Sequence, residues 1–398
     1  MKRILFLMSD TGGGHRAAAE AISAALEARY PDVCRFELID VWKHYTPFPF
    51  NYSPETYGPT IRWGRPAWWA GYKLTNSRGA SKAVMGPMYH ALFKNGVKRL
   101  ISRHGADVIV CVHSVFVRPV LRALSKQTHR PPFVTVVTDL VSTHMWWYDP
   151  RVDRCLVPTK AAYRRGLLAG LQPEQLRVTG LPVHPRFTAR LMDKREARAA
   201  LGWDPELPAV LILGGGSGMG PVYRSARAIN AKRLRCQLAI VAGHNRQLRA
   251  RLDHARWNQL THIYPYVRNM PTLMAAADIL VTKAGPGTIS EACIAGVPIV
   301  LGGAVPGQEE GNITYVVRND AGVWAPSPTK VARAVRDWLT EGPEGLARRA
   351  AAAKALARPN AVWEIAEEVW HYANQPRVLL GKGGTRRSAL LPRAGPRA

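Results

Sequence analysis

Three times along the chain a short apolar run passes through a glycine-rich turn into a helical stretch, and no other feature restricts the fold as much. The first instance is residues 4–8 (Ile4-Leu5-Phe6-Leu7-Met8), which run through Ser9-Asp10-Thr11-Gly12-Gly13-Gly14 into an alanine-rich segment. That segment sets Ala18, Ile22, Ala25 and Leu26 on one helical face. The second is residues 209–213, followed by Gly214-Gly215-Gly216-Ser217-Gly218-Met219-Gly220-Pro221. The third is residues 278–283, followed by Ala284-Gly285-Pro286-Gly287 and a helix from Thr288 to Ala295. Each apolar run has the length of a buried parallel strand. A strand that enters a helix through glycines offers free backbone N–H groups and a partial positive charge, which suits an anion or a polar ligand.

Between these turns, strand and helix patterns alternate in two series. The first places strands near 34–41, 107–112, 133–138 and 154–157; the second near 209–213, 237–242, 261–263, 278–283, 297–301 and 322–325. Such alternation implies parallel sheets with right-handed crossovers. The expected fold class is therefore α/β, with two Rossmann-like domains whose parallel sheets face each other across a cleft, ligands sitting at the carboxyl ends of the strands. The expected units are 1–185, a charged linker 186–207, a second domain 208–373 with closing helices, and a disordered basic tail 374–398. Residues 43–85 interrupt the rhythm with ten aromatic residues between Trp42 and Tyr72, and a helix is predicted over 81–104.

Composition narrows the function classes. The 398 residues carry a net charge of +27, and residues 43–105 hold ten Lys/Arg against the single acid Glu55. A field of this kind attracts polyanions, whether nucleic acid or an anionic membrane face. Tryptophan and tyrosine favour the lipid–water interface, so the 43–105 segment is expected to dock on a membrane; the competing reading is an aromatic satellite core under a long loop. No apolar run is long enough for a transmembrane helix, and nothing at the start of the sequence leads one to expect a signal peptide. The five cysteines are scattered without a CxxC pair and are expected as reduced core thiols of a cytoplasmic protein, with no metal set.

The turns differ in what they offer. Gly12-x-Gly14-x-x-Ala17 fits a dinucleotide fingerprint, but His15 stands where the helix would approach a pyrophosphate. His15 is either a titratable group placed for chemistry or a surface histidine. In the second turn, five glycines in eight residues let backbone amides approach a phosphate or a sugar closely. In the third, Lys283 precedes Gly285, Gly287 and Thr288, whose N–H groups can be offered to a diphosphate. Glu291 is expected in the first turn of that helix, either binding a ribose diol or compensating the helix charge. Pro306-Gly307-Gln308-Glu309-Glu310-Gly311-Asn312 then gathers amide and carboxylate groups suited to sugar hydroxyls.

The motifs GGGHR, GGGSGMGP, KAGPGTISEA and PGQEEGN, in this order, resemble those of the monogalactosyldiacylglycerol synthases and related bacterial diacylglycerol glycosyltransferases, over roughly residues 1–325. The resemblance implies the GT-B fold of the family-28 glycosyltransferases. It also implies an inverting transfer of galactose or glucose from a UDP-sugar to the 3-hydroxyl of 1,2-diacylglycerol, giving a β-glycosyldiacylglycerol without an obligatory metal or other cofactor. Carried over by motif, His15 resembles the general base or acceptor-site histidine, with Gly13 and Gly14 beside the acceptor. Asp139, with His144 and Trp147, resembles the acceptor-side signature, and Asp139 is a competing base or the partner that orients His15. Glu291 resembles the ribose ligand, Gln308 and Glu309 the pair that reads the donor sugar, and Tyr266, Val267 and Met270 the segment that holds uracil. Gly214, Gly215, Gly216, Ser217, Gly218, Lys283, Gly285, Gly287 and Thr288 complete the donor side.

The partners so implied are UDP-galactose or UDP-glucose, diacylglycerol and anionic membrane lipids, with the protein peripheral on the cytoplasmic, inner face of the cell membrane. Met145-Trp146-Trp147-Tyr148 departs from the plant enzymes' version, which leaves the acceptor and sugar open. The alternatives are a GT-B transferase acting on another lipid, such as a polyprenyl-linked sugar, and a basic nucleic-acid-binding protein. The latter offers no account of three glycine turns at strand ends.

Overall fold

The first apolar run forms strand β1 (Lys2–Met8), whose side chains divide between two cores. Leu5 and Leu7 enter one, and Ile4, Phe6 and Met8 enter the other. A parallel strand covered by helices on both faces has no solvent side, so it reads as a continuous apolar run rather than an alternation. The structure, a computed structural model, describes residues 1–380 and, within them, every side chain except that of Arg62.

In chain order the other strands are β2 (Cys34–Asp40), β3 (Val108–Cys111), β4 (His129–Arg130), β5 (Phe133–Val136), β6 (Arg154–Val157) and β7 (Leu176–Val178). They are followed by β8 (Ala209–Leu213), β9 (Gln237–Val241), β10 (Thr261–Tyr264), β11 (Ile279–Lys283), β12 (Ile299–Gly303), β13 (Gly322–Trp324) and β14 (Val378–Leu379). Two parallel six-stranded sheets result, in the orders 2-1-3-5-6-7 and 10-9-8-11-12-13. In each, the strand order reverses at the first strand, so a crevice opens beyond the ends of β1 and β3 and beyond the ends of β8 and β11. All three glycine turns leave strands at these crevices. In the second sheet, β8 sends Ala209, Leu211 and Leu213 to one core and Val210 and Ile212 to the other, repeating the logic of β1. The five cysteines are buried free thiols.

Three expectations need correction. Residues 361–373, expected with the second domain, form the helix Ala361–Ala373, which packs on the first. Val362, Ile365, Ala366 and Val369 join the core behind β1, Tyr30 stacks on Trp370 with 4.4 Å between centroids, and Arg154 and Arg177 donate to Glu368. Helical spacing supplied the apolar stripe but could not say which sheet would receive it. Second, the basic tail is ordered at its start, where β14 pairs antiparallel with β4; the remainder of the expected disordered tail, 381–398, lies outside the described residues.

Third, the interruption at 43–85 is helical. Ser53–Trp63 and Arg65–Thr75 are helices, and the predicted helix over 81–104 is divided into Arg78–Met88, a π turn at Tyr89–Phe93, and Lys94–Arg103. Each of the first two helices carries a proline in its first turn, where a missing N–H costs nothing, although the same prolines read as loop signals. The helix Arg65–Thr75 spans the two units. Tyr72 donates its hydroxyl to the Ser142 carbonyl (2.5 Å) while its ring lies against Gly307, and Lys73 pairs with Glu310 at 3.2 Å.

Candidate active site

The end of β1 sets the first half of the site. Gly12 and Gly13 hold φ of +76° and +78°, a left-handed conformation that L side chains rarely adopt, and Gly13 caps the helix Gly14–Arg29. Space is open where side chains at Gly13 and Gly14 would point. One residue into the helix, His15 turns Nδ1 onto the Val112 carbonyl (2.7 Å) at the end of β3, with Thr138 Oγ1 3.0 Å away. A carbonyl can only accept, so these partners assign the hydrogen to Nδ1 and leave Nε2 as a bare acceptor. Burial pulls the His15 pKa down to about 4, against a smaller opposing effect of the Val112 bond. The ring is therefore neutral at pH 7.

A second histidine stands beside it. The rings of His113 and His15 lie 4.4 Å apart. His113 caps the helix Ser114–Leu124 by accepting from the Val115 N–H at Nδ1 (3.3 Å), and its Nε2 faces Thr11 Oγ1 (3.3 Å). Burial, and then the neighbouring His15, push its pKa well below the ordinary value. Neither His113 nor Thr138 was among the expected site residues. A histidine directly after a buried strand at the crevice was the available signal, since the strand order that brings β3 beside β1 is a tertiary fact.

Asp139 follows the end of β5, and its two oxygens are divided between the two units. Trp147 Nε1 donates to Oδ2 (2.6 Å), and Gln308 Nε2 of the second unit donates to Oδ1 (3.1 Å). Burial raises its pKa, against the lowering effect of these hydrogen bonds. No bond joins Asp139 to His15, so the expectation that Asp139 orients His15 is replaced by Val112 and Thr138. Trp147 is wholly buried and holds Asp139, 6.3 Å between its ring centroid and that of His15. His144 is also buried: it caps the turn Met145–Trp147 and meets Thr75 Oγ1 at 3.1 Å, with its pKa lowered to about 4 mainly by burial. Both expected acceptor-side residues thus support the wall of the site in this conformation. Tyr57, which sequence reasoning passed over, comes from the helix Ser53–Trp63 to lie against Gly12; burial, and then Glu309 and Asp139, raise its pKa.

Across the crevice, β8 runs into the Gly214–Gly220 turn. Gly218 N–H and Met219 N–H close the turn onto the Gly215 and Gly214 carbonyls, and the His244 N–H ties the next loop to Gly216. The N–H groups of Gly215, Gly216 and Ser217 have no hydrogen-bond partner among the described residues. Tyr266 stacks on His244 (4.0 Å between centroids) beside Gly216, while Val267 and Met270 lean on the core of the second domain.

Beyond β11, Gly285 caps the helix Pro286–Ala295, and Gly287 and Thr288 occupy its first turn. Glu291 is the sixth residue of that helix rather than part of its first turn, so compensation of the helix charge does not explain it. It makes no hydrogen bond or ion pair among the described residues, and burial raises its pKa to about 7. Glu309, buried in the loop after β12, is engaged on both oxygens by Lys283 Nζ and by the Val305 N–H (2.8 Å). Of the expected sugar-reading pair, Gln308 thus faces Asp139 and Glu309 is locked behind it. Among the described residues no cluster of three His, Cys, Asp or Glu could hold a metal ion.

The family model of monogalactosyldiacylglycerol (MGDG) synthase matches residues 15–183, and that of the glycosyltransferase family 28 C-terminal domain matches residues 209–362. A probable monogalactosyldiacylglycerol synthase 2, chloroplastic, of Oryza sativa subsp. japonica is 40% identical over 95% of this chain and 82% of its own. Monogalactosyldiacylglycerol synthase 3, chloroplastic, of Arabidopsis thaliana is 38% identical over 95% of this chain and 83% of its own. Among solved structures, Acinetobacter baumannii MurG superposes with a TM-score of 0.60 at 14% identity, over 93% of this chain and 100% of its own. The S. aureus MnaA–UDP co-structure gives 0.59 at 15% identity, over 94% and 97%. The fold is GT-B. The similarity extends well beyond residue 325, the bound expected from the sequence motifs. The chloroplastic relatives overturn the expected cytoplasmic placement on the inner face of the cell membrane.

Proposed function

The chain belongs to the monogalactosyldiacylglycerol synthase family of glycosyltransferases, and from that premise we propose that it moves galactose from a UDP-sugar to the 3-hydroxyl of 1,2-diacylglycerol with inversion, giving a β-glycoside. The observation that carries this reading is His15. Its Nδ1 is held on the Val112 carbonyl, and its bare Nε2 lies at the glycine turn whose open side leaves room for a glycerol headgroup. Nε2 takes the proton of the acceptor hydroxyl as the oxygen attacks the anomeric carbon from the face opposite the departing UDP. A pKa of about 4 makes His15 a weak base in the empty cleft; the negative diphosphate brought in by the donor raises it. The leaving diphosphate is received by the N–H groups of Gly215, Gly216, Ser217, Gly287 and Thr288, fixed dipoles that need no reorganisation and no obligatory metal ion. Glu291 takes the ribose hydroxyls, Tyr266 and Val267 flank the base, and Gln308, braced on Asp139, meets the sugar.

A diacylglycerol acceptor requires work at a lipid surface. Phe48, Trp63 and Leu74 are 73–79% exposed in or beside the two helices that roof the cleft, and those helices belong to the strongly basic segment; this supports docking on anionic lipids. Among the described residues no helix is long and apolar enough to cross a membrane.

Incubation with labelled UDP-galactose or UDP-glucose and diacylglycerol vesicles tests the reading. Label enters extracted lipid with UDP-galactose, and His15→Ala lowers turnover at least a hundredfold while UDP still binds. Label that stays in the aqueous phase with both sugars rejects the lipid acceptor, and near-normal turnover of His15→Ala rejects the base.

A further inference from the structure

Gln308 bridges the two units at the cleft, and the backbone on both sides of it is pinned. The Gly307 N–H donates to Glu310 Oε1 (2.9 Å), and the Glu309 N–H donates to the Val305 carbonyl (3.0 Å). The Glu309 carboxylate is in turn held by Lys283 Nζ and the Val305 N–H. What stays open is the Gln308 amide, whose ends have similar shapes and opposite hydrogen-bonding characters. A flip exchanges an acceptor for a donor without moving the chain. Asp139 removes that freedom. Trp147 Nε1 donates to its Oδ2 at 2.6 Å, Gln308 Nε2 donates to its Oδ1 at 3.1 Å, and the His144 backbone N–H is a third donor. An indole nitrogen only donates, and a carboxylate that receives several donors acts as the ionised, acceptor-only form. The network thus assigns the NH₂ of Gln308 to Asp139. Gln308 Oε1, which has no partner among the described residues, is the end turned away from Asp139.

We propose that Asp139 is a positioning residue for donor recognition: by fixing the amide of Gln308 across the cleft, it makes the site demand a sugar hydroxyl that donates a hydrogen bond. The proposal rests on the reading that Gln308 meets the transferred sugar. Asp139→Asn inverts the order in a defined way. Trp147 Nε1 still requires an acceptor and takes the new carbonyl oxygen, so the new NH₂ faces Gln308. Gln308 then turns Oε1 toward position 139 and presents its NH₂ to the sugar, which removes the acceptor. Adding Gln308→Glu restores it, because one carboxylate oxygen receives the NH₂ at position 139 and the other meets the sugar.

The test titrates the full-length protein and its variants with UDP-galactose and with analogues that carry fluorine in place of the hydroxyl at C3 or at C4; fluorine cannot donate. The parent binds one of the analogues at least about tenfold more weakly than UDP-galactose. Asp139→Asn lowers that discrimination to about threefold or less, Asp139→Asn combined with Gln308→Glu restores it, and Gln308→Ala removes it. A purely structural role for Asp139 would weaken all the ligands alike, leave their ratio unchanged and give no rescue. Gln308 is half-buried, so Gln308→Glu by itself keeps the proposal testable should Asp139→Asn fail to fold. Its carboxylate meets that of Asp139 and weakens UDP-galactose binding by about tenfold or more. Parent-like binding by Gln308→Glu, or discrimination that Asp139→Asn leaves unchanged while Gln308→Ala loses it, overturns the role of Asp139 alone. Discrimination that survives Gln308→Ala, or equal binding of all the ligands by the parent, overturns the reading of Gln308 and the proposal with it.

Discussion

Glu291 is a carboxylate held without a partner among the described residues in the helix after β11, and its titration makes the proposed donor site testable one residue at a time. Its ordinary pKa is 4.5 and burial raises it to about 7. Between those values the folded protein holds a proton that the unfolded chain has lost, so this group's contribution to stability falls as pH rises through that window. A ribose diol that donates to Glu291 favours the ionised form. UDP affinity is therefore full above pH 7 and declines below it, by at most about tenfold per pH unit. Calorimetry across roughly pH 5.5–8.5 reads this dependence directly. Glu291→Gln abolishes the pH dependence, binds UDP more weakly and melts higher than the parent above pH 7; a variant that keeps the parent's pH profile removes Glu291 from the donor site. His15, at about 4 in the free protein, sets its own limb at lower pH, so loss of donor affinity and loss of the base separate along the pH axis. Gly12-Gly13-Gly14-His15 was visible in the sequence, and so was Glu291. The bond that makes His15 a defined tautomer was not, because Val112 lies 97 residues away and meets it only when β3 pairs with β1.

Among the elements, the Gly214–Gly220 turn separates backbone conformation from space. Gly215 and Gly218 both hold a left-handed φ, +69° and +60°. A Cβ at Gly215 would meet nothing within 4 Å, whereas one at Gly218 would sit 2.3 Å from the Ala242 carbonyl oxygen and 2.9 Å from Asn245 Cβ. Gly215→Ala therefore costs only the backbone term, about 1–2 kcal/mol. Gly218→Ala costs more, because the loop after β9 must move. Thermal melts of the two variants order them; equal losses would mean that the loop yields freely. The strand–glycine–helix pattern located this turn from sequence, since a parallel strand buried on both faces and a glycine run are local signals. The helices at 53–75 were illegible for the opposite reason: they begin on prolines and are held by distant contacts, Tyr57 against Gly12 and Tyr72 and Lys73 against the loop after β12 of the other domain.

The two halves of the molecule touch across the crevice. Gln308 reaches Asp139, the Gly311 N–H donates to Ser142 Oγ at 2.8 Å, and the helix Arg65–Thr75 lies over the loop after β12. The Lys73–Glu310 pair is about half exposed on both sides and contributes little, roughly 0–1 kcal/mol. Gly311 is the tighter point, because a Cβ there would stand 2.4 Å from Ser142 Oγ and 3.0 Å from Val141 Cγ1. Gly311→Val is expected to hold the halves apart. Small-angle scattering then reports a larger radius of gyration and turnover drops at least tenfold, while UDP affinity, which the proposed function assigns to the second half, stays within about threefold. An unchanged radius with unchanged turnover would mean that this contact does not limit closure. The closing helix Ala361–Ala373 ties the same halves covalently, since it belongs to the second series in the chain and to the first in space.

The sequence by itself determined the α/β class, the parallel sheets, the three glycine turns at strand ends and the residues that could carry chemistry, because strand burial, glycine conformations and helix starts are set within a few residues. Tertiary structure decided the strand order that pairs His15 with His113, the bridge from Trp147 through Asp139 to Gln308, the locking of Glu309 by Lys283, and the return of the last helix to the first sheet. Each depends on which apolar face meets which, and burial is non-directional along the chain, so a sequence pattern can demand a partner without naming it.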